Sequence, residues 1–429
     1  MKRIENILKI FSSITHVNGG KSEIFFNVLN FAIPVLMGTY IFLNPLPLSA
    51  VNEFCFYLSL AALIILISFK KTAFTLLSPL TLPFILFFLW VVFGLFFTLD
   101  FQNTLHDLLV HLLKYLIVFY LLVNYFNSQK KLEILSLIII ASATIFSIGA
   151  IIQYYFIEGF PFSARLGLTF RGAMQTDLIG FITTFASILA LHLFHKNKTG
   201  TYKILFITCF LITTAATLLT QSRGALIGLC ASFIILCFAN KRNLIIVVLA
   251  AVIIFLMPGM RDRIKNEDFT KDNRTKINRL TLEVIKDHPF AGLGFGMEIY
   301  GNKDLVPLEK YNSKLPLEYQ QHGLMVGSPH NIILEIAVRT GVIGLILFLY
   351  VLLTSLWVLW KTFRLTKNEH YKLLAIYLFA SLTSFLIPAL FADTMFGPRA
   401  IIFYTILAMI TILWNIVQKE KIIDITTPN

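Results

Sequence analysis

The residues of this chain best suited to chemistry are one histidine, one aspartate and a set of arginines. His330 lies in GSPHNIILEIAVRTGVIG, residues 327–344, where a long apolar run begins. With an unperturbed pKa of about 6.5, an imidazole can accept a proton near neutral pH and act as a general base. Arg165, Arg171, Arg223, Arg274, Arg279 and Arg399 all fall on the same side of the membrane in the span assignment below. Their planar forks match phosphate oxygens better than an ammonium does. Asp393, in FADTMFGPR, stands close enough to Arg399 to orient its guanidinium. Structural roles compete with these. His330 could be a polar boundary residue bonded to a loop carbonyl, the arginines could snorkel to lipid headgroups, and Asp393 could be a solvated helix end.

A base beside an arginine cluster fits one chemistry. If the donor's leaving group is a diphosphate, guanidinium groups can hold it and stabilise the charge that develops as the bond breaks. The base then has only to deprotonate an attacking hydroxyl. Outside the cytoplasm there is no ATP, so the donor must arrive already activated. A sugar linked to a polyprenyl diphosphate meets that requirement, and its lipid tail suits a groove between spans. No His/Asp/Glu cluster has convincing metal spacing, and no cofactor is expected. A nucleophilic Ser/His/Asp arrangement is not recognisable.

The elements that must position these groups are membrane helices. Of the 429 residues, 57% are hydrophobic and 14% charged, against about 25% charged in soluble domains. The mean hydropathy is +0.77. The expected fold class is all-α, a polytopic integral membrane protein of about twelve helices with a large periplasmic loop. The spans fall at roughly 25–43, 51–69, 76–97, 105–125, 132–156, 176–194, 203–220, 223–239, 243–260, 330–360, 371–391 and 399–417. The weakest break is Gln221-Ser222-Arg223. With the N-terminus inside, short basic loops such as Lys70-Lys71, Lys130-Lys131 and Lys241-Arg242 all face the cytoplasm, as the positive-inside rule requires. Both termini are then cytoplasmic. No cleavable signal is evident, and the four cysteines, all in apolar segments, read as inert core residues.

On this reading residues 1–429 form a single membrane domain, with 261–329 as a periplasmic insertion between spans 9 and 10. Within it, residues 272–296 read as a short amphipathic helix stopped at Asp287-His288-Pro289. Gly292, Gly294 and Gly296 follow. They lack the strand-turn-helix context of a nucleotide loop and read as a turn that lets the insertion pack closely. Ser328-Pro329 is a good helix start, which would place His330 in the first turn. Glu335 and Arg339, four apart, should neutralise each other and face the bundle. Gly341 and Gly344 allow close helix packing.

These motifs, in this order, resemble the bacterial O-antigen ligases, a superfamily shared with O-antigen polymerases. The resemblance covers most of the chain. HNIILEIAVRTGVIG places His330 at the family's proposed catalytic histidine, and NRTKINRLTLEVIKDHPFAGLG places Arg274 at the motif arginine. TQSRGAL and ARLGLTF do the same for Arg223 and Arg165, and FADTMFGPR resembles the family segment at Asp393 and Arg399. Asn278 departs from an aromatic often found four after the loop arginine, which leaves Arg279 as a competitor for Arg274. The resemblance implies a metal-independent, inverting glycosyltransferase with a GT-C type fold. It would transfer O-antigen from undecaprenyl diphosphate to a sugar hydroxyl of lipid A–core at the periplasmic face of the inner membrane. His330 would activate the acceptor. Arg165, Arg223 and Arg274 would hold the diphosphate, with Arg171 and Arg399 as additional candidates.

The implied partners are the undecaprenyl-diphosphate-linked O-antigen, lipid A–core and membrane lipids, with no nucleic acid. The nearest alternative is an O-antigen polymerase using the same donor. A protein O-oligosaccharyltransferase and a non-enzymatic lipid-linked-sugar flippase are further readings. A flippase should line its cavity with charge through the membrane's depth, whereas here the charges gather on one side.

Overall fold

The computed structural model describes residues 21–167, 176–197, 200–239, 244–245, 273–321 and 327–426. Among the described residues every regular element is a helix and there is no strand. Apolar backbone in lipid must satisfy its own N–H and C=O groups, and helices do so within one segment. In chain order the principal helices are α1 (Lys21–Leu43), α2 (Ser49–Ser68), α3 (Thr81–Gly94), α4 (Phe101–Asp107), α5 (Lys114–Tyr125), α6 (Gln129–Ile151), α7 (Thr176–Lys196), α8 (Gly200–Leu219), α9 (Arg223–Ala239), α10 (Asn273–Asp287), α11 (Leu308–Ser313), α12 (Ile332–Leu365), α13 (Glu369–Ala389) and α14 (Gly397–Thr426). A π-helical turn, Leu108–Leu113, joins α4 to α5, and another, Ile152–Ile157, extends α6.

Nine of these segments are long and apolar enough to cross a membrane, and Thr81–Gly94 and Arg223–Phe238 are shorter apolar helices. They coincide with the expected spans, except that the segment at 243–260 lies almost wholly outside the described residues. The break at Gln221 is real. Gln221 takes a left-handed backbone, φ 48°, which ends α8 and lets α9 start at Arg223.

Two helices form the centre. The spans of α7 and α14 are each 89% buried, against 28% for the span of α1, which therefore lies at the rim. Small residues let α9 approach its neighbours. A Cβ on Gly180 of α7 would stand 2.6 Å from the Ala225 Cβ, and one on Gly228 would stand 2.9 Å from Pro388 of α13. Gly224 and Gly228 are four apart, so one small-residue face of α9 seats on Pro388.

The insertion has its own apolar cluster, built from Leu280, Val284, Leu293, Tyr300, Val306 and Tyr311, and it docks on Val338 of α12. Its glycine turn does more than pack. Helix α12 is kinked at Gly341, which is left-handed at φ 71°. The kink frees backbone groups that a straight helix would pair internally. Leu293 N–H donates to Val338 O at 2.8 Å and Gly294 N–H to Arg339 O at 3.0 Å, while Val342 N–H donates to Pro289 O at 2.8 Å. Side chains cannot fit this seam: a Cβ on Gly292 would press on the Arg339 carbonyl, and one on Gly341 would overlap Phe290 O.

Candidate active site

Six helix ends meet at one end of the bundle: the starts of α7, α9, α12 and α14, and the ends of α8 and α13. His330 stands there just before α12. It is not in the helix's first turn, as the Ser-Pro pair suggests. The cap is Asn331, whose side chain accepts from Ile333 N–H at 3.0 Å and Leu334 N–H at 3.2 Å. An amide oxygen that satisfies two orphan N–H groups outcompetes a serine three residues earlier. Ser328 is used elsewhere, donating its hydroxyl to Asp393.

His330 is left-handed, with φ 50°, an uncommon conformation for a residue with a side chain. Its backbone N–H donates to Asp393 Oδ1 at 3.2 Å and meets Ser328 Oγ at 3.4 Å. Its Nδ1 lies 3.2 Å from the same carboxylate oxygen. Asp393 thus holds His330 by main chain and ring together. The imidazole remains 46% exposed. The hydrogen bond to Asp393 raises the His330 pKa above its ordinary value, outweighing burial and the nearby positive charge of Arg274. Burial pushes the Asp393 carboxyl up, but the bonds from His330 and Ser328 and the charge of Arg399 bring it below the usual range.

Arg399 donates to the backbone carbonyl of Asp393 at 3.0 Å. The carboxylate was expected to orient this guanidinium. Instead it is committed to His330 and Ser328, and the arginine fixes the loop from its main-chain side. Arg274, on the second residue of α10, sits with its guanidinium 5.9 Å from the centre of the Phe391 ring. A Cβ on Gly224 would lie 3.4 Å from that ring, so Phe391 also borders the start of α9, where Arg223 stands. Arg165 donates to Thr220 O and to Thr176 Oγ1, each at 3.2 Å. Next to those partners, Ser222 donates to Asp177 at 2.9 Å, and the charge of Asp177 is felt by His330. Arg279 turns away. Its guanidinium stacks 3.8 Å over Tyr319 within the insertion. Arg171 lies outside the described residues.

Residues 207–349 match the family profile described as O-antigen ligase. That stretch, about a third of the chain, is similar to the O-antigen ligase family. No curated protein matches the chain. The matched stretch contains Arg223, Arg274 and His330 and ends within α12; Arg165, Asp393 and Arg399 lie on either side of it.

Behind His330 lies a second, buried network. Arg339 and Glu335 pair at 3.5 Å with 2% and 1% of their side chains exposed. The guanidinium also donates to Gly296 O and Met297 O, and it lies 5.0 Å from the Phe396 ring. On the far side of the turn, Met297 N–H donates to Asp107 at 2.5 Å, and His106 lies 2.9 Å from the same carboxylate. Glu335 in turn faces Thr394 N–H at 3.5 Å, the residue after Asp393. The i, i+4 spacing signals the Glu335–Arg339 pair, but not its attachment to the glycine turn. Phe391 carries no sequence signal of its own, and the signal at Ser328 points to a helix cap and not to Asp393. Their importance comes from long-range contacts. Among the described residues, no group of three His, Cys, Asp or Glu side chains is placed to hold a metal ion.

Proposed function

We propose that this protein is an O-antigen ligase, transferring O-antigen from undecaprenyl diphosphate to a sugar hydroxyl of lipid A–core at the periplasmic face of the bacterial inner membrane. The observation that carries the reading is the pairing of an exposed His330 with Asp393 inside the field of Arg274. With Nδ1 held by the carboxylate, Nε2 is the nitrogen that takes the acceptor's proton. The acceptor oxygen then bonds to the anomeric carbon as the bond from that carbon to the diphosphate oxygen breaks, and the electron pair leaves with undecaprenyl diphosphate. Attack opposite the leaving group inverts the anomeric centre. Asp393 stabilises the imidazolium that forms, as a carboxylate does behind a catalytic histidine elsewhere.

Arg274, Arg223 and Arg165 are assigned to the diphosphate, with Arg171 and Arg399 as further candidates. Fixed guanidinium groups aimed at developing charge are among the larger contributions to catalysis. A metal-independent reaction is therefore expected. The positions of Arg274 beside Phe391 and of Arg165 beside Asp177 support the assignment, since both border the loop that carries Asp393 or the acid felt by His330. Arg279 is left out because Tyr319 already occupies it.

The test is reconstitution with undecaprenyl-diphosphate glycan and a choice of acceptors, in the presence of chelator. Product on lipid A–core is expected. Extension of a second lipid-linked repeat, with lipid A–core untouched, would make the protein an O-antigen polymerase. Product that appears only when a divalent metal is restored would remove the arginine-only account of the leaving group.

A further inference from the structure

At the opposite end of the bundle from His330, a cavity of about 1070 Å³ opens between α1 and the start of α6. The two helices are pinned together deeper in the membrane. Ser142 donates to Phe42 O at 2.5 Å, and a Cβ on Gly38 would stand 3.0 Å from Ile138. Beyond Gly38 they diverge, and Pro34 of α1, which has no N–H to donate, lines the gap.

The walls are graded. Phe31, Val35, Phe42, Ile134 and Ile138 line the deeper part, and Val35 and Ile134 are 50% and 43% exposed. A long apolar groove at membrane depth suits hydrocarbon chains. The mouth is different. Lys130 and Lys131 open onto it, both exposed, and among the described residues no carboxylate pairs with either. Asn27 and Asn127 also line it, and neither side chain makes a hydrogen bond within the described structure. By contrast, Asn124 is fully used, clamping Thr75 and Tyr120. The mouth therefore offers two cations and two amide donors, and among the described residues no carboxylate is paired with either cation.

We propose that this groove binds an anionic glycerophospholipid of the adjacent leaflet, its headgroup phosphate between Lys130 and Lys131 and its acyl chains along Phe31, Val35 and Ile138. Charge complementarity selects an anionic headgroup over a zwitterionic one. The exposed apolar walls select a lipid over a free phosphate. By the distribution of basic loops this is the cytoplasmic leaflet, away from the transfer site, so the proposal goes beyond the ligase reading.

Native mass spectrometry of protein released from vesicles of phosphatidylglycerol and phosphatidylcholine tests it. The protein should retain phosphatidylglycerol roughly 10–30-fold better than phosphatidylcholine, the preference that two basic residues at a membrane surface provide. Lys130→Ala with Lys131→Ala should remove the preference without changing the melting profile, since both side chains are exposed. Ile134→Trp should fill the groove and lower retention of both lipids. Equal retention of the two lipids by the unaltered protein would overturn the proposal, as would an unchanged preference in the double variant. So would full displacement by soluble glycerol phosphate, which marks an anion site without a lipid. A cross-link from residues 1–20 to a cysteine introduced by Ile134→Cys would give the groove to the chain's own N-terminal segment and overturn it equally.

Discussion

Two acid–base pairs flank the start of α12, and the fold treats them in opposite ways. His330 and Asp393 keep 46% and 32% of their side chains exposed. Arg339 and Glu335, less than three helical turns further on, keep 2% and 1%. The buried pair spends its hydrogen-bonding capacity on architecture, binding the carbonyls of Gly296 and Met297 and facing Thr394 N–H. The exposed pair leaves the imidazole half open to solvent. On the proposed function, similar residue types, close in sequence, are thus divided between chemistry and support by what their remaining valences meet. On that reading the support serves the chemistry, because Thr394 adjoins Asp393 and the insertion that Arg339 grips also carries Arg274.

The sharpest break in this comparison is His330→Gln. Glutamine can hydrogen bond but cannot accept the hydroxyl's proton at working pH. Turnover should fall roughly 10²–10⁴-fold, the usual share of a general base, while donor binding and thermal stability hold. Near-normal ligation would return His330 to a structural role. Arg339→Met should do the reverse, destabilising the fold by about 3–5 kcal/mol because Glu335 is left as an uncompensated buried charge. Its signature is a lower melting temperature, partly restored by adding Glu335→Gln. An unchanged melting temperature in the single variant would mean that the pair does not support the insertion.

Next in size is a contrast between two arginines five apart. Arg274→Lys should lose most activity although charge is kept, since an ammonium cannot reproduce a bidentate contact. Arg279→Lys should be mild, because that side chain stacks on Tyr319. The reverse ranking of transfer rates would move the phosphate contact by five residues. The smallest effect is a displacement of the pH profile. The carboxylate of Asp393 raises the His330 pKa, and the base must be neutral to act, so the rate should climb as pH rises through that raised value. Asp393→Asn removes the charge that favours imidazolium, and the ascending limb should move to lower pH. A limb that stays in place would separate Asp393 from the titrating group.

Much of the architecture was legible because hydropathy at this scale overrides local detail. The break at Gln221 and the helix at Asn273–Asp287 were readable from polar residues that lipid would not tolerate and from a proline stop. The helix start at Asn331 was misplaced, since Ser328-Pro329 obeys the local capping rules and only the distant Asp393 explains where the serine hydroxyl goes. The partner of His330 stands 63 residues away in the chain, and no spacing rule reaches that far. The same holds for the glycine turn. Its need for close approach was readable from Gly292, Gly294 and Gly296, but its partner, the kink at Gly341, looked like ordinary small-residue packing.

The backbone of His330 also carries a lesson about substitution. At φ 50° a β-branched residue would be strained, whereas glycine adopts that region at no steric cost. His330→Gly should therefore keep the loop's course while emptying the space beside Asp393. The vacancy would match free imidazole in shape and chemistry, with the carboxylate in place to orient it. An enzyme silenced at this position would then be one that a small molecule in the buffer could switch back on.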